Sequence, residues 1–228
     1  MKIISLSAHV AGPACAIAIA IKKYFYNNNY ITNIFDYLEL SIISINQFLL
    51  LNEDDIKYID FEDDWYVNHR KSVTIKFKNF HSIYSHHDLK QHFTIYDYDQ
   101  LKEKYIRRYK RLIHDIKNED KIFFIRYGIE DSVQIELFYD NICKKNPNLV
   151  FYYIMLVYSE TKISFNIKYD NFIVINFYDI NNNIKYDNDP FNRVLQYNWK
   201  EIYNILEKYM NESDKKKLDL NFITLDKF

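Results

Sequence analysis

Two stretches of this chain, Lys121–Tyr127 and Leu149–Tyr158, are apolar runs without alternation, and they bracket an amphipathic stretch from about Asp131 to Lys145. A strand with one wet face alternates apolar and polar residues, so an unbroken run predicts a strand covered on both faces. Strand, helix and strand in succession form a parallel pair joined by a crossover helix. Ile3–Ser7 followed by Ala14–Phe25 opens the chain in the same way, with Gly12-Pro13 supplying an N-cap and first helical residue. The expected fold is α/β: a mainly parallel sheet flanked by helices in three layers, Rossmann-like, forming a single domain over residues 1–228. Ile163–Lys168 and Phe172–Tyr178 are close together and predict an antiparallel C-terminal extension.

Between these units the signals are local. Ser41–Leu51 reads as a helix, and the acidic stretch Glu53–Asp64 as a surface excursion. Val73, Ile75 and Phe77 alternate with polar residues as in a half-exposed strand, and Ser82–Ser85 continues as a second extended piece ending in His86-His87-Asp88. Leu101, Tyr105, Tyr109, Leu112, Ile113 and Ile116 make one helical stripe, predicting a helix over Asp99–Asn118 with Asp99 as N-cap. A last helix carries Trp199, Ile202, Tyr203, Leu206, Tyr209 and Met210 on its apolar face.

Composition narrows the function. The 228 residues hold 30 Lys+Arg against 31 Asp+Glu, a formal charge of −1, so no basic field exists to gather nucleic acid or an anionic membrane. Only two glycines are present, and neither G-x-G-x-x-G nor G-x-x-x-x-G-K-[ST] occurs, which argues against the common nucleotide-binding loops; no cofactor is expected. Cys15 and Cys143 are too few for a disulfide framework or a Cys-rich zinc site, and a reducing, cytoplasmic compartment fits them. Met1–Ala20 imitates a secretory signal, but His9 and Gly12-Pro13 interrupt the apolar run, so it reads as part of the mature fold. The 22 Tyr, 17 Phe and abundant Asn and Lys are what an A+T-rich genome writes, as in a large DNA virus, and single Tyr or Asn residues carry little weight.

In an open α/β sheet ligands bind beyond the carboxyl ends of the parallel strands. The residues there are Ser7–Cys15 with His9, His86-His87-Asp88, Arg126-Tyr127-Gly128 and Ser159-Glu160. Cys15 near a helix N-terminus is placed where the dipole favours a thiolate. With His87 as base and Asp88 or Asp36 as the group that orients its ring, this would be a Cys-His-acid constellation; the plainer reading of Cys15 is a small apolar residue among Ala14, Ala16, Ile17 and Ala18. Adjacent His86 and His87 on a strand point to opposite sides, so no metal site is expected. Arg107, Arg108 and Arg111 read as a solvated helix face before an anion site. Asp36 is either a turn-capping carboxylate or a site residue, and His9, His86 and Arg126 join it as candidate substrate contacts.

The order of landmarks resembles a known family of bacteria and large DNA viruses, the papain-like cysteine peptidases described as a domain of unknown function. The matching elements are Ile4-Ser5-Leu6-Ser7, Gly12-Pro13-Ala14-Cys15, Phe35-Asp36-Tyr37, His87-Asp88, Arg107-Arg108 with Arg111, and Phe124-Ile125-Arg126, over residues 1 to 158. Two positions depart: the family's usual glycine is Ser7 here, and its early cysteine falls near Val10, with Cys15 about five residues later. The resemblance implies a cysteine peptidase or thiol hydrolase acting on peptide or isopeptide bonds in a protein or peptide substrate. The alternative is a catalytically inactive α/β module that binds a host protein, in host cytoplasm or virion if the source is viral.

Overall fold

The computed structural model describes residues 1–8, 14–61, 66–67, 72–81, 83–90, 95–159, 167–176, 194 and 198–221. Eight strands form one sheet: β1 (Lys2–Ala8), β2 (Leu38–Leu40), β3 (Tyr66–Val67), β4 (Ser72–Lys76), β5 (Ile83–Lys90), β6 (Lys121–Tyr127), β7 (Val150–Val157) and β8 (Phe172–Asn176), in the order β3-β4-β5-β2-β1-β6-β7-β8. The helices are α1 (Ala14–Phe25), α2 (Ile42–Leu50), α3 (Ile95–Asn118), α4 (Ser132–Lys145), α5 (Trp199–Glu207) and the short α6 (Glu212–Lys215), with a 3-10 turn at Asp55–Tyr58.

The unalternating runs do lie between two layers. Ile4 and Leu6 of β1, Ile122 and Phe124 of β6, and Tyr153 and Met155 of β7 pack against α2, α3 and α4. Their neighbours Ile3, Phe123, Ile125, Ile154 and Leu156 pack against α1 and α5. Strand alternation thus delivers apolar side chains to both faces, and a three-layer α/β sandwich follows. Ala16 and Ala20 keep α1 slim enough to lie close to the sheet, while Trp199 of α5 packs beside Tyr24 and Phe25, ring centroids 6.1 and 6.0 Å away.

Local chemistry sets the helix starts. Ser41 caps α2 by accepting from the Ser44 N–H, and Asp131 caps α4 by accepting from the Val133 N–H at 2.9 Å. Gly128, φ 114°, makes the turn after β6 that few other residues tolerate. Asp99, however, is not the cap of α3, which starts four residues earlier at Ile95. Tyr98 in its first turn meets Phe61 edge-on at 5.4 Å, so tertiary contact holds this end of the helix; residues 91–94, which precede it, lie outside the described residues.

The edges of the sheet carry what a local pattern leaves open. The C-terminal strand β8 pairs with β7 in parallel, across residues 158 to 171, which are long enough for a crossover; the antiparallel partner expected for it is Ile163–Lys168. Residues 160–166, which include most of the other expected strand, lie outside the described residues. The antiparallel strands are instead β3, β4 and β5 at the opposite edge, because β4 and β5 form a hairpin whose turn uses Asn79 in the left-handed region (φ 65°). Finally, β5 does not end at His86-His87-Asp88 but runs through them to Lys90.

Candidate functional site

The opening strand leaves the sheet through a kink. Ser7 has φ 62°, and the pairing of β1 with β6 slips between Ser5 and Ala8. A left-handed backbone at this point is what glycine adopts without cost and a residue with a Cβ does not. Serine is retained through its side chain: its Oγ donates to the Leu38 carbonyl of β2, and its N–H donates to Ser5 Oγ at 3.0 Å. Ser7→Ala and Ser7→Gly both lose the Oγ bond, but only Ala keeps the strained φ. The glycine variant is therefore expected to be the more stable of the two by about 1 kcal/mol in urea unfolding, and equal stabilities would refute the strain.

Cys15 is the second residue of α1 and half-buried. It stands beyond the carboxyl end of β1 on the α1 side of the sheet. Gly12-Pro13 and His9 lie outside the described residues.

The edge of β1 facing β5 is only partly covered by a strand, since β2 meets β1 at the single pair Ala8 and Glu39. Below that point the segment Tyr30–Tyr37 fills the gap. Asn33 folds it: its Oδ1 accepts from the Phe35 N–H at 2.8 Å, and its Nδ2 reaches the Ser5 carbonyl at 3.4 Å. Asp36, 0% exposed, accepts from the Asn33 N–H at 2.7 Å, from Asn33 Nδ2 at 3.2 Å and from the Tyr30 hydroxyl at 3.3 Å. Burial pushes the Asp36 carboxyl up to about 7, against the opposing pull of these donors and of Arg108 and Arg111. It caps the turn, and its oxygens face protein.

Tyr37 follows in a left-handed conformation, φ 66°. Burial raises its hydroxyl pKa first, the Asp36 carboxylate next, and the opposing Arg108 and then Cys15 also act on it. Charges at residues 15, 36 and 108, from three separate parts of the chain, thus act on the Tyr37 hydroxyl. Arg108 and Arg111 belong to α3, on the sheet face opposite α1. Arg111 donates to the Thr32 carbonyl, and only Arg107 is on the exposed face of the helix, so the three arginines are not one solvated surface.

From the other side the gap is bordered by β5. The last β5–β2 pair is Ser85 with Leu38, so His86, His87 and Asp88 run on past the start of β2, at register positions beside Tyr37 and Asp36. β4 pairs Ile75 with Ser85 and Val73 with Leu89, leaving the three residues His86–Asp88 opposite Thr74 alone. This is a bulge, a feature that re-aims side chains and recurs next to active sites. It arises inside an antiparallel strand and not, as expected, after the carboxyl end of a parallel one.

Arg126, the remaining candidate contact, is fully buried. Its Nε donates to Glu130 Oε1 at 2.6 Å, Nη1 to the Leu6 carbonyl at 2.7 Å and Nη2 to the Leu40 carbonyl at 2.9 Å. It ties β6 to the carboxyl ends of β1 and β2.

A cavity of about 150 Å³ opens at the amino end of β1, lined by Lys2, Tyr26, Tyr30, Asn33 and Asp115 among others. It shares Tyr30 and Asn33 with the Asp36 turn but lies away from Cys15. Among the described residues no cluster of His, Cys, Asp and Glu has metal-binding geometry, and no helix is long and apolar enough to cross a membrane. Sequence reasoning missed Asn33, and read Tyr37 only as a family landmark and Arg108 as part of a solvated helix face. One signal was available for Arg108, which sits three residues from Tyr105 and four from Leu112 and so borders the apolar stripe of α3.

The model of the family described as "Putative papain-like cysteine peptidase (DUF1796)" matches residues 2–161, and the chain belongs to this family. No curated protein and no solved structure matches it.

Proposed function

Taking that membership as the premise, we propose that the chain is a papain-like thiol hydrolase domain that cleaves peptide or isopeptide bonds in a protein or peptide substrate. Cys15 is the nucleophile, His87 the general base and Asp88 the carboxylate that orients the imidazole. What supports this reading is the family match over residues 2–161, which takes in Cys15, His87 and Asp88, together with a Cys15 thiol that is half-buried rather than sealed at the start of α1. The thiol gives its proton to His87 as sulfur attacks the carbonyl carbon. The tetrahedral intermediate collapses with loss of the amine, which takes that proton, and water then releases the acid from the thioester. The positive end of the α1 dipole stabilises negative charge on sulfur and on the intermediate. His9 and His86 remain proposed substrate contacts, and a reducing, cytoplasmic compartment is the proposed setting.

Iodoacetamide labelling of Cys15, followed across pH by peptide mass spectrometry, tests this. The expected inflection is well below the ordinary thiol value of about 8.5, moving up in His87→Ala; an inflection at or above that value removes the nucleophile. The rival reading, a catalytically silent module that binds a protein partner, is favoured by one observation: Asp36 and Arg126, two proposed substrate contacts, are closed to solvent. Such a module keeps its partner affinity in Cys15→Ala.

A further inference from the structure

The open part of β1 holds a cavity away from Cys15. Along Lys2–Ile4 this strand has β6 on one side and no paired strand on the other, because β2 meets it only at Ala8. Side chains from the segment after α1 take the missing strand's place. The Tyr26 hydroxyl accepts from the Ile3 N–H at 2.8 Å, and Asn33 Nδ2 donates to the Ser5 carbonyl at 3.4 Å. They leave the cavity of about 150 Å³ between β1, this segment and Asp115 of α3. Ile3, Ile4 and Ile31 line it together with Tyr26 and Tyr30, whose ring centroids are 5.4 Å apart with the rings tilted by 41°. Folded proteins keep few voids larger than a water molecule, and a mainly apolar one of this size offers water few partners but accommodates a benzene-sized molecule.

The polar groups specify what such a molecule carries. Lys2 donates to Asp115 and lies 3.9 Å from Glu119, so the charges at the cavity are already matched to one another. A charged ligand would have to break that pairing, and a neutral one would not. Asn33 Nδ2 is engaged with Ser5, Tyr30 and Asp36, and the Tyr30 hydroxyl donates to Asp36 Oδ1 at 3.3 Å. The Tyr26 hydroxyl differs: it accepts from Ile3, and among the described residues no acceptor takes its own proton. We propose that this cavity binds a small neutral aromatic molecule carrying a hydrogen-bond acceptor, with the Tyr26 hydroxyl as donor and the rings of Tyr26 and Tyr30 as walls. A third ring meets two tyrosine rings edge-on or offset, which adds to what apolar burial alone contributes. The volume admits a ring with a short substituent and not a peptide backbone, so the ligand is a free molecule of about nine or fewer non-hydrogen atoms. The site goes beyond the thiol-hydrolase reading and depends on no residue of it.

The test is NMR of the full chain with labelled isoleucine methyls, titrated with acetophenone, a neutral aromatic probe with a carbonyl acceptor. Saturable shifts are expected at Ile3, Ile4 and Ile31, with a Kd of about 1 mM or below. Benzoate and benzylammonium, which carry a charge on the same ring, are expected to bind at least about tenfold more weakly. N-acetylphenylalaninamide, which brings the ring on a peptide, is likewise expected to bind more weakly than acetophenone. In Tyr26→Phe the Kd of acetophenone is expected to rise about fivefold while that of toluene, which has no acceptor, stays unchanged. Equal changes for the two probes overturn the assigned hydrogen bond and with it the ligand class. The proposal is also overturned by the absence of saturable shifts at these isoleucines up to about 10 mM acetophenone, or by shifts centred on other isoleucines. Either charged probe, or the peptide amide, binding as tightly as acetophenone overturns it as well. Localisation and charge exclusion are read on the native chain, so they decide the matter even if Tyr26→Phe does not fold.

Discussion

Glu130→Ala is expected to lower the stability of the fold by about 3–5 kcal/mol. The Arg126 guanidinium is 0% exposed, and Glu130, with 4% of its side chain exposed, is its ion-pair partner at 2.5 Å. Without the carboxylate a cation remains buried against the two carbonyls of Leu6 and Leu40, which are acceptors but carry no charge. Deleting one member of a buried pair costs far more than the pair's net contribution, because the survivor cannot return to water without opening the sheet. Glu130→Gln keeps an acceptor oxygen and is expected to lose about half as much. Urea unfolding with an unchanged slope would register both losses. A loss under about 1 kcal/mol in Glu130→Ala would mean that the guanidinium finds another anion or reaches solvent. Because Arg126 joins β6 to the ends of β1 and β2, the same substitution is expected to loosen the strand end that precedes Cys15.

The second large effect belongs to Asp36 and is a dependence on pH. In the fold this carboxyl holds its proton up to about pH 7, whereas its ordinary value is 3.8. Between those limits the native state binds one proton more than the unfolded chain, so stability falls as pH rises. The contribution is fully present below about pH 4 and is lost through pH 7. At about 1.4 kcal/mol per pH unit over about three units, it amounts to about 4 kcal/mol. Desolvation is the cause, since the donors Asn33 and Tyr30 and the nearby Arg108 and Arg111 all act the other way. The measurement is the stability difference between the native chain and Asp36→Asn, in which other titrating groups cancel. That difference should decline from pH 4 to pH 7 and be flat above. A difference that is constant with pH would show that Asp36 is ionised throughout.

The covered strands and the helices were legible because each is written in a local period. The unbroken runs of β6 and β7 mark strands packed on both faces, and the stripe of α3 from Leu101 to Ile116 marks its buried side. Ser41 and Asp131 announce helix starts because a cap acts within four residues. Asp99 misled for the complementary reason: the helix runs on before it, and Tyr98 there is held against Phe61, a contact between distant segments. Strand direction at the two edges depends on which strands become neighbours, and no period within β8 or β5 encodes that. For the proposed site, Cys15 and the His86-His87-Asp88 strand were picked out by residue type alone. The burial of Asp36 and Arg126 could not be, because a charged residue in a sequence reads as exposed until its partners are located.

What the chain's order of residues determined unaided is the layering, since apolar spacing specifies how many faces of each strand and helix must leave water, and those demands are met by a sandwich of sheet and helices. Assembly in three dimensions decided the rest: the gap beside β1 where β2 has not begun, the bulge of β5 along that gap, and the burial of Asp36 against Asn33 and Tyr30. The three strands lie tens of positions apart, and their placement is set by strand register, by the positive φ values of Ser7 and Tyr37 and by helices packed on opposite faces, so no local pattern could have placed them together.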